Sequence, residues 1–315
     1  MPVTLSYVPV GPKFSISADA VMPTITVTAA LAGATVDPRS PPVYTWDAML
    51  VFTGSVTPHG SGSNTTHRAI PPQTGPRNTF VIPFAEIRGG VLTVSVSVRV
   101  GTTTLAAQST GLTIVGTNPT PAAIKLKANA IGANKVRFRK QMRQESTLRQ
   151  FVATGWPLFS GDNLGGVGLC QITRPAPTAD QIWNWKANVD AGWALYLEKE
   201  RIASAYPAHV RSAILPALVT AWNNSRRPAA PIAVTLPDYT ADQLELDTIR
   251  GFNGFAGSLH EFRVRRDSTP DRLLVVTIDA SGTRGTAEWE RVPVNERGTS
   301  GDPNYVNNVE AQADF

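Results

Sequence analysis

The feature that most constrains this chain is a change of period near residue 120. Before it, short apolar runs alternate with polar residues. The stretches "TITVTAAL" (24–31), "VYTWDAMLVF" (43–52), "NTFVIPF" (78–84), "VLTVSVSVRV" (91–100) and "GLTIVG" (111–116) are β-branched and are parted by turn-rich segments such as "TPHGSGSN" and "PPQTGPRN". Successive side chains of a strand point to opposite faces, so each run can bury one face of a sheet. Beyond residue 120 the apolar positions recur every three or four, as in "AIKLKANAIGANKVRFRKQMRQES", "NVDAGWALYLEKERIASAY", "AHVRSAILPALVTAWNN" and "TADQLELDTIRGFNG". That is the spacing of amphipathic helices. Charge shifts at the same place: residues 1–120 carry 10 charged side chains and 121–315 carry 43, with every tryptophan except Trp46 in the second part.

Two domains are therefore expected in the 315 residues. Residues 1–117 read as an all-β, antiparallel sandwich of immunoglobulin type, because short strands at this spacing pack two sheets face to face. "GTNPTPAA" (116–123) has the composition of a linker, placed at 118–123, and residues 124–315 read as a mainly α domain. Thr240 with Gln243 three residues on predicts a capping box at one helix start. The alternating stretch "RLLVVTIDASGTRGTAEWERVPV" (272–294) predicts a β-hairpin around a glycine turn, an insertion spanning about 264–300. On this division the halves separate near Asn118 to Pro121, and a fragment from Ala122 folds and works alone.

Composition narrows the chemistry. A net charge of +5 suits an anionic partner such as cell-wall polymer, nucleic acid or a membrane face, but is too dilute to choose among them. "RFRKQMR" (137–143) and "RVRR" (263–266) read as solvated faces. The single Cys170 excludes an internal disulfide framework, and the scattered His59, His67, His209 and His260 make a histidine-built metal site improbable. The first residues lack the marks of a cleaved secretory signal, and no apolar run reaches the length of a membrane span. The expectation is synthesis in the cytoplasm, with any export by another route.

Three segments follow in order in the second part: "QES" (144–146), "GVGLCQIT" (166–173) and "IRGFNGFAG" (249–257), with "NVDAGWALYL" (188–197) between the last two. This series resembles the lytic transglycosylase and goose-type lysozyme group. That group's pattern is Glu-Ser, Gly-x-Gly-Leu-Met-Gln, an Asn-x-x-x-Gly helix and Tyr-Asn-x-Gly. The resemblance covers roughly residues 130–262 and 302–315.

It implies a lysozyme-like domain that cleaves the β-1,4 bond between N-acetylmuramic acid and N-acetylglucosamine, with no metal, cofactor or nucleic acid. Glu145 corresponds to the acid that protonates the leaving oxygen and then serves as base; an apolar setting, expected from Phe151, Trp156 and Phe159, would keep its proton near neutral pH. Gly168 would let the backbone approach a sugar chain, and Gln171 would offer its amide to N-acetyl groups or to backbone. Cys170 stands where the family has methionine and reads as a small apolar residue. Phe252 replaces the family's tyrosine, losing the hydroxyl, and Asn253 reads as a partner of substrate or of Glu145, or else as a helix cap. Trp156 is the candidate for stacking on sugar.

Asp162 matches the aspartate of the goose-type Gly-Asp loop, with a turn that binds its own backbone as the alternative. Thr173 occupies the place of a second loop acid, and its hydroxyl cannot act as a base near neutral pH. This favours a transglycosylase forming a 1,6-anhydro product over an inverting hydrolase, which needs a second carboxylate. By analogy, the sandwich would dock to a spike, tail or delivery protein of a phage or contractile secretion machine, making the chain an antibacterial effector acting at the cell wall or periplasm. Two alternatives are a chitin-cleaving enzyme of the same fold and a catalytically silent wall-binding or tail component.

Overall fold

A computed structural model describes residues 2–33, 38–57, 63–162, 164–226, 231–253, 259–268, 271–273, 277–297 and 301–315. Contacts divide the chain into two compact units. The first is Met1–Asn134 with Glu145–Gly192 and Phe315, and the second is Lys135–Gln144 with Trp193–Asp314.

Among the described residues the first unit begins with nine strands: β1 (Val3–Val8), β2 (Lys13–Ile16), β3 (Thr26–Leu31), β4 (Val43–Thr53), β5 (Thr65–Gly75), β6 (Thr79–Val81), β7 (Gly90–Val100), β8 (Thr103–Gln108) and β9 (Leu112–Gly116). They form a three-stranded sheet, β1-β3-β6, and a six-stranded sheet, β2-β9-β7-β4-β5, with β8 beside β7. Period-two burial runs along β4, where Tyr44, Trp46, Ala48, Leu50 and Phe52 are buried, and along β7, where Leu92, Val94, Val96 and Val98 are. Register puts Trp46 opposite Val96 and Leu50 opposite Leu92 on one inner face. Trp46 stacks on Phe80 of the other sheet at 5.6 Å, so both sheets share one core.

Two details of the sandwich differ from the sequence reading. The sandwich is mixed rather than antiparallel, because β2 pairs with β9 in parallel. β1, β2, β5 and β8 were not read from the sequence. β5 carries Pro71 and Pro72 and is mostly exposed, which a strand tolerates only at a sheet edge, where its free N–H positions need no partner. The stretch 118–123 runs into a helix. Thr120 caps α1 (Pro121–Ala130), with its hydroxyl accepting from the Ala123 amide and Pro121 at the first helical position. The Asn118 side chain accepts from the amides of Gln150 and Phe151 and donates to the Phe151 carbonyl, each at 2.8 Å.

The sandwich core also continues past the strands. Phe151, Val167, Ile182 and Trp183 are buried in the same cluster, with Trp156 and Phe159 packed against it. Phe52 meets Trp183 edge-on at 5.0 Å and Trp156 in a stack at 5.9 Å. A side chain on Gly116 would overlap the Phe151 ring, and one on Gly89 the Trp183 ring. Backbone and side-chain bonds add to this packing: Gly116 N donates to Gly155 O at 2.8 Å, and Trp185 Nε1 to Ala18 O at 2.8 Å. The contact boundary therefore departs from a cut at 118–123, because apolar period reports that a face is buried but not which face it meets.

The long helical pattern of 123–146 is two helices. α1 stops at Ile131, where Gly132 turns at φ +76°, and α2 (Val136–Ser146) follows. α3 (Ala179–Trp183) carries a capping box, Thr178 with Gln181, and α4 (Trp185–His209) runs on from it.

In the second unit the residues of α4 from Trp193 onward lead through a π turn (Val210–Ile214) into α5 (Leu215–Arg226). The helix α6 (Ala241–Phe252) opens with the expected Thr240–Gln243 box, and α7 (Tyr305–Ala311) closes the unit. Among its described residues are also seven short strands: β10 (Ala233–Thr235), β11 (Phe262–Val264), β12 (Arg266–Ser268), β13 (Asp271–Leu273), β14 (Thr277–Ile278), β15 (Arg284–Thr286) and β16 (Trp289–Arg291). β14 and β15 form the expected hairpin around Gly282, but β15 also pairs with β10 and β16 with β11. Val210, Leu215, Trp222, Ile232, Leu236, Val264 and Ala287 share one buried cluster. Residues 269–270, 274–276 and 298–300 of the stretch read as an insertion lie outside the described residues.

Candidate active site

Glu145 lies in the last turn of α2 and is half-buried. Ser146 beside it is buried and donates from its hydroxyl to Leu169 O at 3.0 Å, tying the end of the helix to the glycine loop. Thr147 (φ 52°) and Leu148 (φ 61°) then take the left-handed conformation in succession. Each costs on the order of 1–3 kcal/mol, which the surroundings must offset. This reversal carries Gln150 into the interior, where it is fully buried.

Two buried carboxamides hold the loop. Gln150 Oε1 accepts from the Leu169 amide at 3.1 Å, and its Nε2 donates to Gln181 O at 3.1 Å and Ile182 O at 2.8 Å. Asn188 Oδ1 accepts from the Cys170 amide at 2.9 Å, while its Nδ2 donates to Val167 O at 3.0 Å and Gln181 O at 3.1 Å. Gly168 has φ +72°, and any side chain there would overlap the Gln150 amide. The glycine is needed both for its backbone conformation and for the closeness of Gln150. Gln171 (φ 47°) closes the turn, with its amide nitrogen donating to Gly168 O at 2.9 Å.

Comparison with protein-family models, curated proteins and solved structures finds no match for this chain.

Cys170 is buried, and burial pushes its thiol well above the ordinary range, with the Glu145 charge pushing in the same direction. A thiol so held stays protonated and is a poor nucleophile. Asp162 sits otherwise. It is exposed and accepts from the Ser160 hydroxyl at 2.5 Å and the Leu164 amide at 3.0 Å, and these bonds hold its carboxyl below the usual range. Both bonds lie within its own loop. Thr173 donates to Gln171 O at 3.2 Å.

Trp156 is half-buried, stacked on Phe52 and edge-on to Trp183 at 5.9 Å, so its rings pack the sandwich side of the loop. Phe252 and Asn253 belong to the second unit. Phe252 lies 6.1 Å from Tyr196, and Asn253 ends α6 with both amide atoms bonded to Asp302, Nδ2 to its carbonyl at 2.5 Å and Oδ1 from its amide at 3.2 Å. Gly254, next to Asn253, and His59 lie outside the described residues.

Sequence reasoning brought Glu145, Gly168 and Gln171 to the fore and overlooked Gln150, Asn118 and the role of Asn188. In "RQF" a glutamine after an arginine reads as surface. Only the left-handed pair before it turns it inward.

Proposed function

We propose that this chain cleaves the β-1,4 bond between N-acetylmuramic acid and N-acetylglucosamine in peptidoglycan, with Glu145 as acid and then base. The observation that carries the reading is the placement of one half-buried carboxylate at a helix end beside a glycine loop. The backbone groups of that loop are taken up by Ser146, Gln150 and Asn188. A rigid loop beside a half-buried carboxyl suits general acid catalysis of glycoside cleavage, which needs a proton to give and a fixed place for the sugar.

In this reading the fold is an immunoglobulin-like sandwich joined to a lysozyme-like helical domain, and the enzyme is a lytic transglycosylase. Asp162 is occupied by its own turn and Thr173 by Gln171 O, which favours attack by the muramic acid 6-hydroxyl on the anomeric carbon over attack by an activated water. Glu145 first donates its proton to the leaving oxygen. It then accepts the proton of the 6-hydroxyl as the 1,6-anhydro ring closes, so no water is consumed. Delivery to the wall by a phage or contractile secretion machine, with the sandwich meeting a spike or tail protein, belongs to the same proposal.

The test is mass spectrometry of fragments released from purified sacculi, run beside a chitin digest. Muropeptides lighter by one water than hydrolysis products are expected. Hydrated products would replace the transglycosylase by a hydrolase. Cleavage of chitin alone would change the substrate, and no cleavage of either would leave a silent wall-binding or tail component.

A further inference from the structure

We propose that Gln150 is a positioning residue of this site, fixing the Gly166–Gln171 loop in the register that Glu145 requires; the proposal rests on the glycosidase reading above. Three observations carry it. Gln150 is fully buried, and each end of its carboxamide is engaged, Oε1 by the Leu169 amide and Nε2 by two carbonyls at the end of α3. Gly168 approaches the same carboxamide so closely that no side chain fits there, so the loop is laid directly on Gln150. Its own backbone is fixed from the sandwich side, since Asn118 Oδ1 accepts from the Gln150 amide and Gln150 O accepts from Leu158 N at 2.9 Å.

The path is short. Leu169 gives its amide to Gln150 and its carbonyl accepts from Ser146, the neighbour of Glu145. One loop residue thus joins the buried amide to the helix end that carries the acid. Loss of the carboxamide leaves the Leu169 amide and the Gln181 and Ile182 carbonyls to find other partners, and the loop moves against Glu145 to do so. A displacement of about 1 Å in a glycosidase site can cost on the order of a hundredfold in turnover, because the proton must travel along a fixed line.

The experiment uses the full chain and uncrosslinked peptidoglycan strands as substrate. Gln150→Met keeps length and apolar stem but removes all three hydrogen bonds, while Gln150→Asn keeps the amide one methylene short. Each is compared with the unsubstituted chain by near-ultraviolet circular dichroism, thermal melting and steady-state kinetics, at a temperature where the fold is intact. The expected result is a folded Gln150→Met with kcat lowered about tenfold or more and KM changed less than about threefold.

A purely structural residue would lower the melting temperature and leave kcat of the folded protein unchanged, and that result overturns the proposal. A rise in KM with unchanged kcat also overturns it, by moving Gln150 to uniform substrate binding. If neither variant folds, Gln150 belongs to the fold alone and the proposal falls. Inactivity of the unsubstituted chain on both peptidoglycan and chitin overturns the glycosidase reading and this proposal together, whereas an active parent with equally active variants overturns this proposal alone.

Discussion

At the residue scale the site separates its two acids by environment. Glu145 stands half-buried beside a buried thiol, while Asp162 lies in water and is tied to its own loop. Glu145→Gln keeps the shape and loses the proton, so wall cleavage should fall about a hundredfold or more with the melting temperature nearly unchanged. Retention of a tenth of the rate in a sacculus turbidity assay would remove Glu145 from the reaction. Asp162→Asn should keep activity, because the hydrogen bonds to Asp162 form within the turn. The sign of its pH effect follows from the lowered carboxyl. The stability it contributes is present above the ordinary aspartate range and is lost as pH falls through the lowered folded value. The asparagine variant should therefore melt with less pH dependence in acid than the parent, read by thermal melts across that range. Cys170, buried and protonated, should label with a thiol reagent only after unfolding, and full labelling of the native protein at neutral pH would contradict its placement.

At the element scale the glycine loop is defined by what crowds it. Gly168→Ala meets two obstacles, a left-handed backbone and the Gln150 amide. The cost should be about 2–4 kcal/mol, seen as a lower melting temperature together with lost cleavage. Gly116→Ala, at the end of β9, faces the Phe151 ring and should destabilise comparably while touching nothing in the glycine loop. The capping boxes at Thr178 and Thr240 were open to sequence reading, the second by its spacing, because a cap is a local bond between residues three apart. β5 was not legible. An exposed edge strand with two prolines has neither alternation nor an apolar face to betray it.

At the whole-molecule scale the first compact unit takes in the sandwich together with residues 145–192. Phe151 and Trp183 bury their rings in the sandwich core, each worth roughly 1.5–3 kcal/mol of transfer out of water. A fragment starting at Ala122 loses Phe14, Ile16, Phe52 and Ile114 from that cluster and leaves those rings exposed. It should fail to fold cooperatively in residues 145–192, as judged by amide hydrogen exchange, and should not cleave the wall. A folded, active fragment would show that the loop needs no sandwich beneath it.

Period and local chemistry were enough to place most helices, five of the nine N-terminal strands described, and the Thr240–Gln243 cap, since each depends on residues near one another in the chain. Partnership was decided by the tertiary structure alone: the parallel pairing of β2 with β9, the sharing of one core by the sandwich and Trp183, and the inward turn of Gln150 under Gly168. The physical reason is that burial is non-directional. An apolar or amide side chain records that it can leave water, and only the packed chain settles which surface receives it.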